Sequence, residues 1–257
     1  MKLGLVAGEK VLSFSPLYFR RIYGLPYEQY VPHSLTELKR EITGKGWTGF
    51  NVTTPYKEVV SSFLDESSEE AAAIQAVNVV SIYPDGRWRG DNTDCLAARY
   101  ILSEMSEVYP LWGHVLIMGT GGAARAVAYA HAELFPNIPI TFISRQPGRR
   151  LPFPLPYEVI SYDDCLNLNL DKPPLLVQAT PLGMFPELLL PPFPIDLIQP
   201  EWLVWDIIYN PNPTPFLVRA RARGAHIESG LRLFRKQADY ALEIWSDIWQ
   251  KHYKRRA

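Results

Sequence analysis

Residues 114–145 constrain the fold more than any other stretch of this chain. An apolar run, HVLIM, breaks into Gly119-Thr120-Gly121-Gly122-Ala123-Ala124-Arg125. A small-residue run, AVAYAHAELF, follows, and a second apolar run, IPITFI, ends at Ser144-Arg145. That order reads as strand, tight turn, helix and strand, one right-handed βαβ unit. Gly119, Gly121 and Ala124 keep the G-x-G-x-x-A spacing of dinucleotide-binding turns. Gly119 permits the sharp turn, Gly121 lets backbone approach a pyrophosphate, and Ala124 lets the helix pack close to the strand. The helix N-terminus then offers unpaired N–H groups and a positive dipole end to phosphates. The plainer alternative is a glycine-rich turn in an ordinary α/β domain.

The end of the second strand bears on which nucleotide fits. NAD sites usually place Asp or Glu there to hold the ribose 2′-hydroxyl. This chain has Ser144-Arg145, with Arg149 and Arg150 just beyond. A guanidinium suits a 2′-phosphate, and no carboxylate would repel it, which favours NADP over NAD. A solvated basic loop is the alternative for the same residues.

At 257 residues the chain has room for two domains of modest size. A net charge of -1 gives no reason to expect nucleic acid or an anionic membrane as partner. No run is long enough to span a membrane, and MKLGLVAGEK is no signal peptide, so a cytoplasmic location is expected. Two cysteines, Cys95 and Cys165, make no disulfide framework, and five scattered histidines give no zinc pattern, so no metal site is expected.

Taken in order, KLGLVA reads as a buried strand. Ser13-Phe14-Ser15-Pro16 follows, with Ser15 placed to cap a short helix that Pro16 starts. YEQYVP is a strand and LTELKREITGKG a helix with a Gly stop. FNVT is a strand running into a Pro-started helix after Pro55, whose first turn would hold Lys57, a position the helix dipole disfavours for a cation. EEAAAIQAVNVVSI is a helix leading into a strand, with Asn78 at the junction. DGRW marks a hairpin turn, and residues 89–95 a polar loop before the helix LAARYILSEM, with Asp94 at or near its N-cap. After the βαβ unit, YEVI, PLLVQA and WLVWDIIYNP read as further strands. Ala179-Thr180-Pro181-Leu182-Gly183-Met184 lies just past the carboxyl end of PLLVQA, where open α/β sheets bind ligands. An amphipathic helix, ADYALEIWSDIW, and a basic tail, KHYKRR, close the chain.

The motifs S-x-S-P, N-V-T-x-P-Y-K, A-V-N, N-T-D, G-x-G-G-A-A-R, S-R, A-T-P-L-G-M, D-x-x-Y-N-P-x-x-T and G-L-x-x-x-x-x-Q-A follow one another over nearly the whole chain. In this the chain closely resembles the shikimate dehydrogenase family, including its quinate-using relatives. The resemblance implies an α/β fold of two domains with a cleft between them. Residues 1–97 and 231–257 would form the substrate-binding and catalytic domain, and 98–230 a Rossmann-like NADP-binding domain. By motif, Ser13 and Ser15 would bind the substrate carboxylate, and Asn51, Thr53, Asn78, Tyr209 and Gln237 its carboxylate and ring hydroxyls. Lys57 and Asp94 would be the catalytic pair. Gly119, Thr120, Gly121, Gly122 and Ala123 would hold the pyrophosphate, and Ser144, Arg145 and Arg149 the adenosine phosphate. Thr180, Ile207 and Gly230 would line the nicotinamide site.

The chain departs from the family at several points. The segment before Ser13 is one residue short and lacks the family's Pro and His. Gln75 replaces a Gly before A-V-N, Cys95 a Gly after N-T-D, Gln178 the Asn before A-T-P, and Ser144 the Asn before Arg. The implied reaction is the reversible reduction of 3-dehydroshikimate to shikimate in chorismate biosynthesis. Hydride would reach the C3 ketone, an ammonium at Lys57 would supply the proton, and Asp94 would keep the lysine charged and fix the ring. The expected partner is a small-molecule substrate, and the expected state a monomer or homodimer. Two rival readings are a quinate/shikimate enzyme with mixed cofactor use and a catalytically idle relative that binds ligand.

Overall fold

The chain falls into two units, Met1–Thr93 joined by the segment from Gln237 on, and Asp94–Lys236. The structure, a computed structural model, describes residues 1–9, 11–168 and 170–253. Lys10, in the shortened segment before Ser13, and the last four residues of the basic tail lie outside the described residues.

The first unit is built on a six-stranded sheet. Its elements are β1 (Leu3–Val6), α1 (Ser15–Ile22), β2 (Tyr27–Tyr30), α2 (Leu38–Lys45), β3 (Gly49–Val52), β4 (Glu66–Ser67), α3 (Glu69–Ile74), β5 (Val79–Ile82) and β6 (Trp88–Asp91). The strand order is β2-β1-β3-β5-β6-β4. β1 runs parallel to β2 and β3, while β5 runs antiparallel to β3 and β6. β1 and β3 are buried along their whole length, which is why LGLV and GFNV lack polar alternation. Trp245, from the C-terminal helix, covers this sheet: its indole N–H donates to the Val80 carbonyl at 3.1 Å, and a Cβ at Gly49 would collide with its ring. Removing an aromatic side chain from such a site costs about 3–5 kcal/mol.

Three local expectations fail here. Ser15 does not cap α1; it is the first helical residue, Phe14 holds the cap position, and no side chain caps the helix. No α-helix follows Pro55. A 3-10 helix spans Val59–Phe63, and Lys57 precedes it in a turn, so the lysine is not set against a helix dipole. Adjacent β-branched residues, Val59-Val60, then Ser61-Ser62, whose second hydroxyl donates to the Val59 carbonyl at 2.9 Å, favour the short form. The polar stretch 89–95 is no loop: Trp88–Asp91 is β6, and α4 (Thr93–Val108) starts two residues later. Arg89 and Asp91 share one face of β6 and form a 3.1 Å ion pair, so the strand's charges satisfy each other.

The second unit continues with β7 (Val115–Met118), α5 (Gly122–Leu134), β8 (Ile140–Ile143), β9 (Glu158–Ile160), α6 (Tyr162–Cys165), β10 (Leu175–Gln178), β11 (Leu203–Asp206), α7 (Pro215–Ala222), β12 (His226–Ser229) and α8 (Gly230–Ile248). α8 starts in this unit and ends in the first. The strand order is β12-β11-β10-β7-β8-β9, with every pairing parallel. From the β9 edge, the strands come third, second, first, fourth, fifth and sixth along the chain. This is the doubly wound order, with its switch point between β7 and β10. Leu116, Met118, Leu176, Val204, Phe193, Trp202 and Phe216 form one apolar core.

Candidate active site

In the first unit a buried polar chain runs through the sheet. The Tyr27 hydroxyl donates to Asn51 Oδ1 at 2.6 Å, and Asn51 Nδ2 donates to the Asn78 carbonyl at 3.1 Å. Asn78 Nδ2 donates to Thr93 Oγ1 at 3.0 Å, and the Thr93 N–H returns a 2.7 Å bond to Asn78 Oδ1. These bonds fix both asparagine rotamers and both amide orientations. Each Nδ2 carries a second N–H, a donor suited to a ligand oxygen. Asp94 follows Thr93 in the first turn of α4 and is 9% exposed. The Lys57 carbonyl accepts from the Val77 N–H at 2.8 Å, which ties the lysine's backbone to the residue before Asn78. Thr53 is anchored by its N–H to the Val6 carbonyl at 3.0 Å.

Ser13 and Ser15 form a pair. Ser13 Oγ donates to Ser15 Oγ at 3.1 Å and accepts from the Ser15 N–H at 3.1 Å. Gln237 is half-buried on α8.

In the second unit, Gly119 ends β7 with φ +99°, a conformation that costs an L side chain energy. A Cβ there would also lie 3.0 Å from the Ala179 carbonyl oxygen and 3.2 Å from Thr180 Cγ2. Gly119 and Thr180 thus abut at the switch point. Gly121 differs. Its φ of -75° suits any residue, and a Cβ there would meet nothing within 4 Å. Protein packing does not require glycine at this place, and the space it leaves lies at the N-terminus of α5, where a phosphate would approach. Gly122 and Ala123 open that helix, and Ala124 is fully buried. Arg125 is fully buried too, and its Nη1 donates to the Thr120 carbonyl at 3.1 Å, bracing the turn from behind.

Ser144 follows β8, and its Oγ accepts from the Gln146 N–H at 3.1 Å. Arg145 and Arg149 are exposed just beyond it. Burial pushes the Tyr162 hydroxyl's pKa up, against the pull of the Arg145 charge. Past β11, the Gly230 N–H donates to the Ile208 carbonyl at 3.2 Å, and a Cβ at Gly230 would collide with the Ile207 carbonyl oxygen. Tyr209 stacks on Phe234 with ring centroids 4.3 Å apart.

Of the residues that brace this framework, Tyr27 lies outside the quoted motifs, and Thr93 and Thr214 lie inside them without an assigned role. Tyr27 orients Asn51, Thr93 orients Asn78, and Thr214 donates to Asp206 Oδ2 at 2.7 Å.

Comparison with known proteins bears on both units. Residues 8–80 match the family model of the shikimate dehydrogenase substrate binding domain. A shikimate dehydrogenase (NADP(+)) from Desulforamulus reducens is 36% identical over 84% of this chain and 79% of its own length. The shikimate dehydrogenase (NADP(+)) of Methanococcus maripaludis is 34% identical over 96% of this chain and 91% of its own length. Among solved structures, the Thermus thermophilus shikimate 5-dehydrogenase in complex with NADP(H) and shikimate is 30% identical, with a TM-score of 0.78 over 96% of this chain and 94% of that one.

Proposed function

This chain belongs to the shikimate dehydrogenase family, and on that premise we propose that it is an NADP-dependent oxidoreductase interconverting 3-dehydroshikimate and shikimate. The observation that carries the reading is that the likeness spans both units. A doubly wound sheet alone speaks only for a nucleotide cofactor, whereas the match over residues 8–80 speaks for the substrate. We take the first unit as the substrate domain and the second as the NADP domain, so the reaction belongs to the chorismate pathway.

When bound, NADPH supplies the hydride. The open space at Gly121 and the N-terminus of α5 fit its pyrophosphate, and Ser144, Arg145 and Arg149 its adenosine phosphate. Thr180, Ile207 and Gly230 would line the nicotinamide end. Ser13 turns its hydroxyl proton from Ser15 Oγ to the substrate carboxylate, and the Ser15 hydroxyl donates beside it. The second N–H groups of Asn51 and Asn78, with Thr53, Tyr209 and Gln237, hold the ring oxygens. Lys57 donates a proton to the oxygen at C3 as negative charge builds there, and its ammonium stabilises that charge. Asp94 hydrogen-bonds a ring hydroxyl, which fixes the ring's orientation. The acting form is a cytoplasmic monomer or homodimer.

The test is a set of four assays, shikimate and quinate each with NADP and NAD. Turnover fastest with shikimate and NADP is expected. Preference for quinate or NAD points to the mixed enzyme, and no turnover with ligand still bound points to an idle relative.

A further inference from the structure

Gln178 ends β10 inside an otherwise aliphatic strand, LLVQ, and is fully buried. An amide in such a place costs energy unless its groups are paired. All four of its bonding groups find partners in the loop it precedes. Nε2 donates to the Thr180 carbonyl at 3.0 Å and to the Leu182 carbonyl at 2.6 Å. Oε1 accepts from the Thr180 N–H and from Thr180 Oγ1, both at 3.0 Å. Thr180 Oγ1 in turn accepts from the Leu182 N–H at 3.2 Å. Turning the amide over would oppose acceptor to acceptor at both carbonyls and donor to donor at the Thr180 N–H, so its orientation is fixed.

Residues 179–182 form neither helix nor strand, and Pro181 has no N–H to give. Gly183, next along, has φ +98°. One side chain therefore does the shaping that a regular element does elsewhere. The loop it shapes packs against Gly119 at the switch point of the sheet.

We propose that Gln178 is a positioning residue for hydride transfer: its amide sets the path of Ala179–Leu182 and so the wall against which the nicotinamide ring rests. This rests on the reading of Thr180 as a nicotinamide-side residue. Hydride transfer depends steeply on the ring's placement, while cofactor affinity comes mostly from the phosphates and adenosine. The amide's contribution therefore falls on turnover rather than on binding.

The test uses the full chain with Gln178→Met, which keeps the volume and removes the amide, and Gln178→Asn, which draws the amide back from Leu182. Three readouts are taken on protein shown to be folded by its thermal transition: kcat for shikimate oxidation, the NADP dissociation constant by equilibrium titration, and hydrogen exchange in a peptide covering residues 179–184. We expect kcat to fall at least tenfold in Gln178→Met and at least threefold in Gln178→Asn. The NADP dissociation constant should change less than threefold, with faster exchange in the peptide. A merely structural role would lower the transition temperature and leave kcat of the folded fraction alone. A kcat within twofold of the parent, or a loss matched by weaker NADP binding, overturns the proposal, as does unchanged exchange. Gln178→Asn decides by the same criteria if Gln178→Met does not fold. Failure of the functional reading looks different, because the unsubstituted protein would then not turn over shikimate at all.

Discussion

Gln178 and Asp206 stand opposite each other in register at the ends of β10 and β11, and both are fully buried. Each side chain reaches forward into the loop after its own strand. The amide holds Thr180 and Leu182. The carboxylate accepts from the Ile208 N–H at 3.0 Å and from the Thr214 hydroxyl at 2.7 Å. Two neighbouring strand ends thus shape the loops that carry Thr180, Ile207 and Tyr209.

Asp206 should make stability depend on pH. Burial pushes its carboxyl up to about 7, against the two hydrogen bonds that favour the ionised form. The folded state therefore keeps the proton to higher pH than the unfolded state, where an Asp loses it near about 3.9. The resulting stabilisation is present in acid and is lost as pH rises through about 7. Asp206→Asn imitates the protonated carboxyl. Urea unfolding should find it close to the parent at pH 3.5, below the unfolded value, and increasingly more stable than the parent as pH rises to 8.5. If the two pH profiles run parallel, Asp206 does not titrate with folding.

Lys57→Met keeps the side chain's stem and removes the proton donor. Turnover should fall by about two to four powers of ten, the usual worth of a positioned acid or base. The dissociation constant of shikimate, measured without turnover, should move much less. Near-normal turnover in the folded variant would remove Lys57 from the mechanism.

Arg145 is expected to distinguish the cofactors. Arg145→Ala should raise the Michaelis constant for NADP by tenfold or more, in line with roughly 1.5–3 kcal/mol for a bond to a charged group. The constant for NAD should change little. Equal effects on both would make this arginine part of a solvated loop only.

Gln75 caps the C-terminus of α3 in the left-handed region, at φ 49° and ψ 47°. Gln75→Gly should stabilise the protein by roughly 0.5–1 kcal/mol, because glycine takes this conformation without the Cβ penalty. Chemical denaturation checks it, and a loss of stability would mean that the glutamine side chain contributes more than its backbone costs.

The second unit is more legible in the sequence than the first. Gly119 must be glycine both for its positive φ and for its contact with Ala179, and such a demand leaves a readable mark. β7, β8, β10 and β11 are buried along their length, so they appear as largely apolar runs, broken only by Thr141, Gln178 and Asp206. β6 hides because Arg89 and Asp91 neutralise each other only once the strand exists. Likewise, nothing in the order of letters says that the Tyr27 hydroxyl meets Asn51, 24 residues on. Such pairings arise from strand neighbours distant in sequence, and propensity does not report them. β12 was missed for a related reason: HIES alternates weakly, and its parallel pairing with β11 supplies the order that its composition does not.

The split of α8 between the units bears on how the protein is made. The second unit is one uninterrupted stretch of chain, Asp94–Lys236, and all its partners have been synthesised once residue 236 has. The first unit is different. Ala238, Ala241 and Trp245 belong to the same apolar cluster as Leu3, Leu5, Phe19 and Val79, and the Tyr253 hydroxyl donates to the Ile82 carbonyl at 2.7 Å. Residues 1–93 must wait, with one sheet face uncovered, until the segment after residue 236 has been made. During synthesis the second unit therefore has its whole core to hand before the first does.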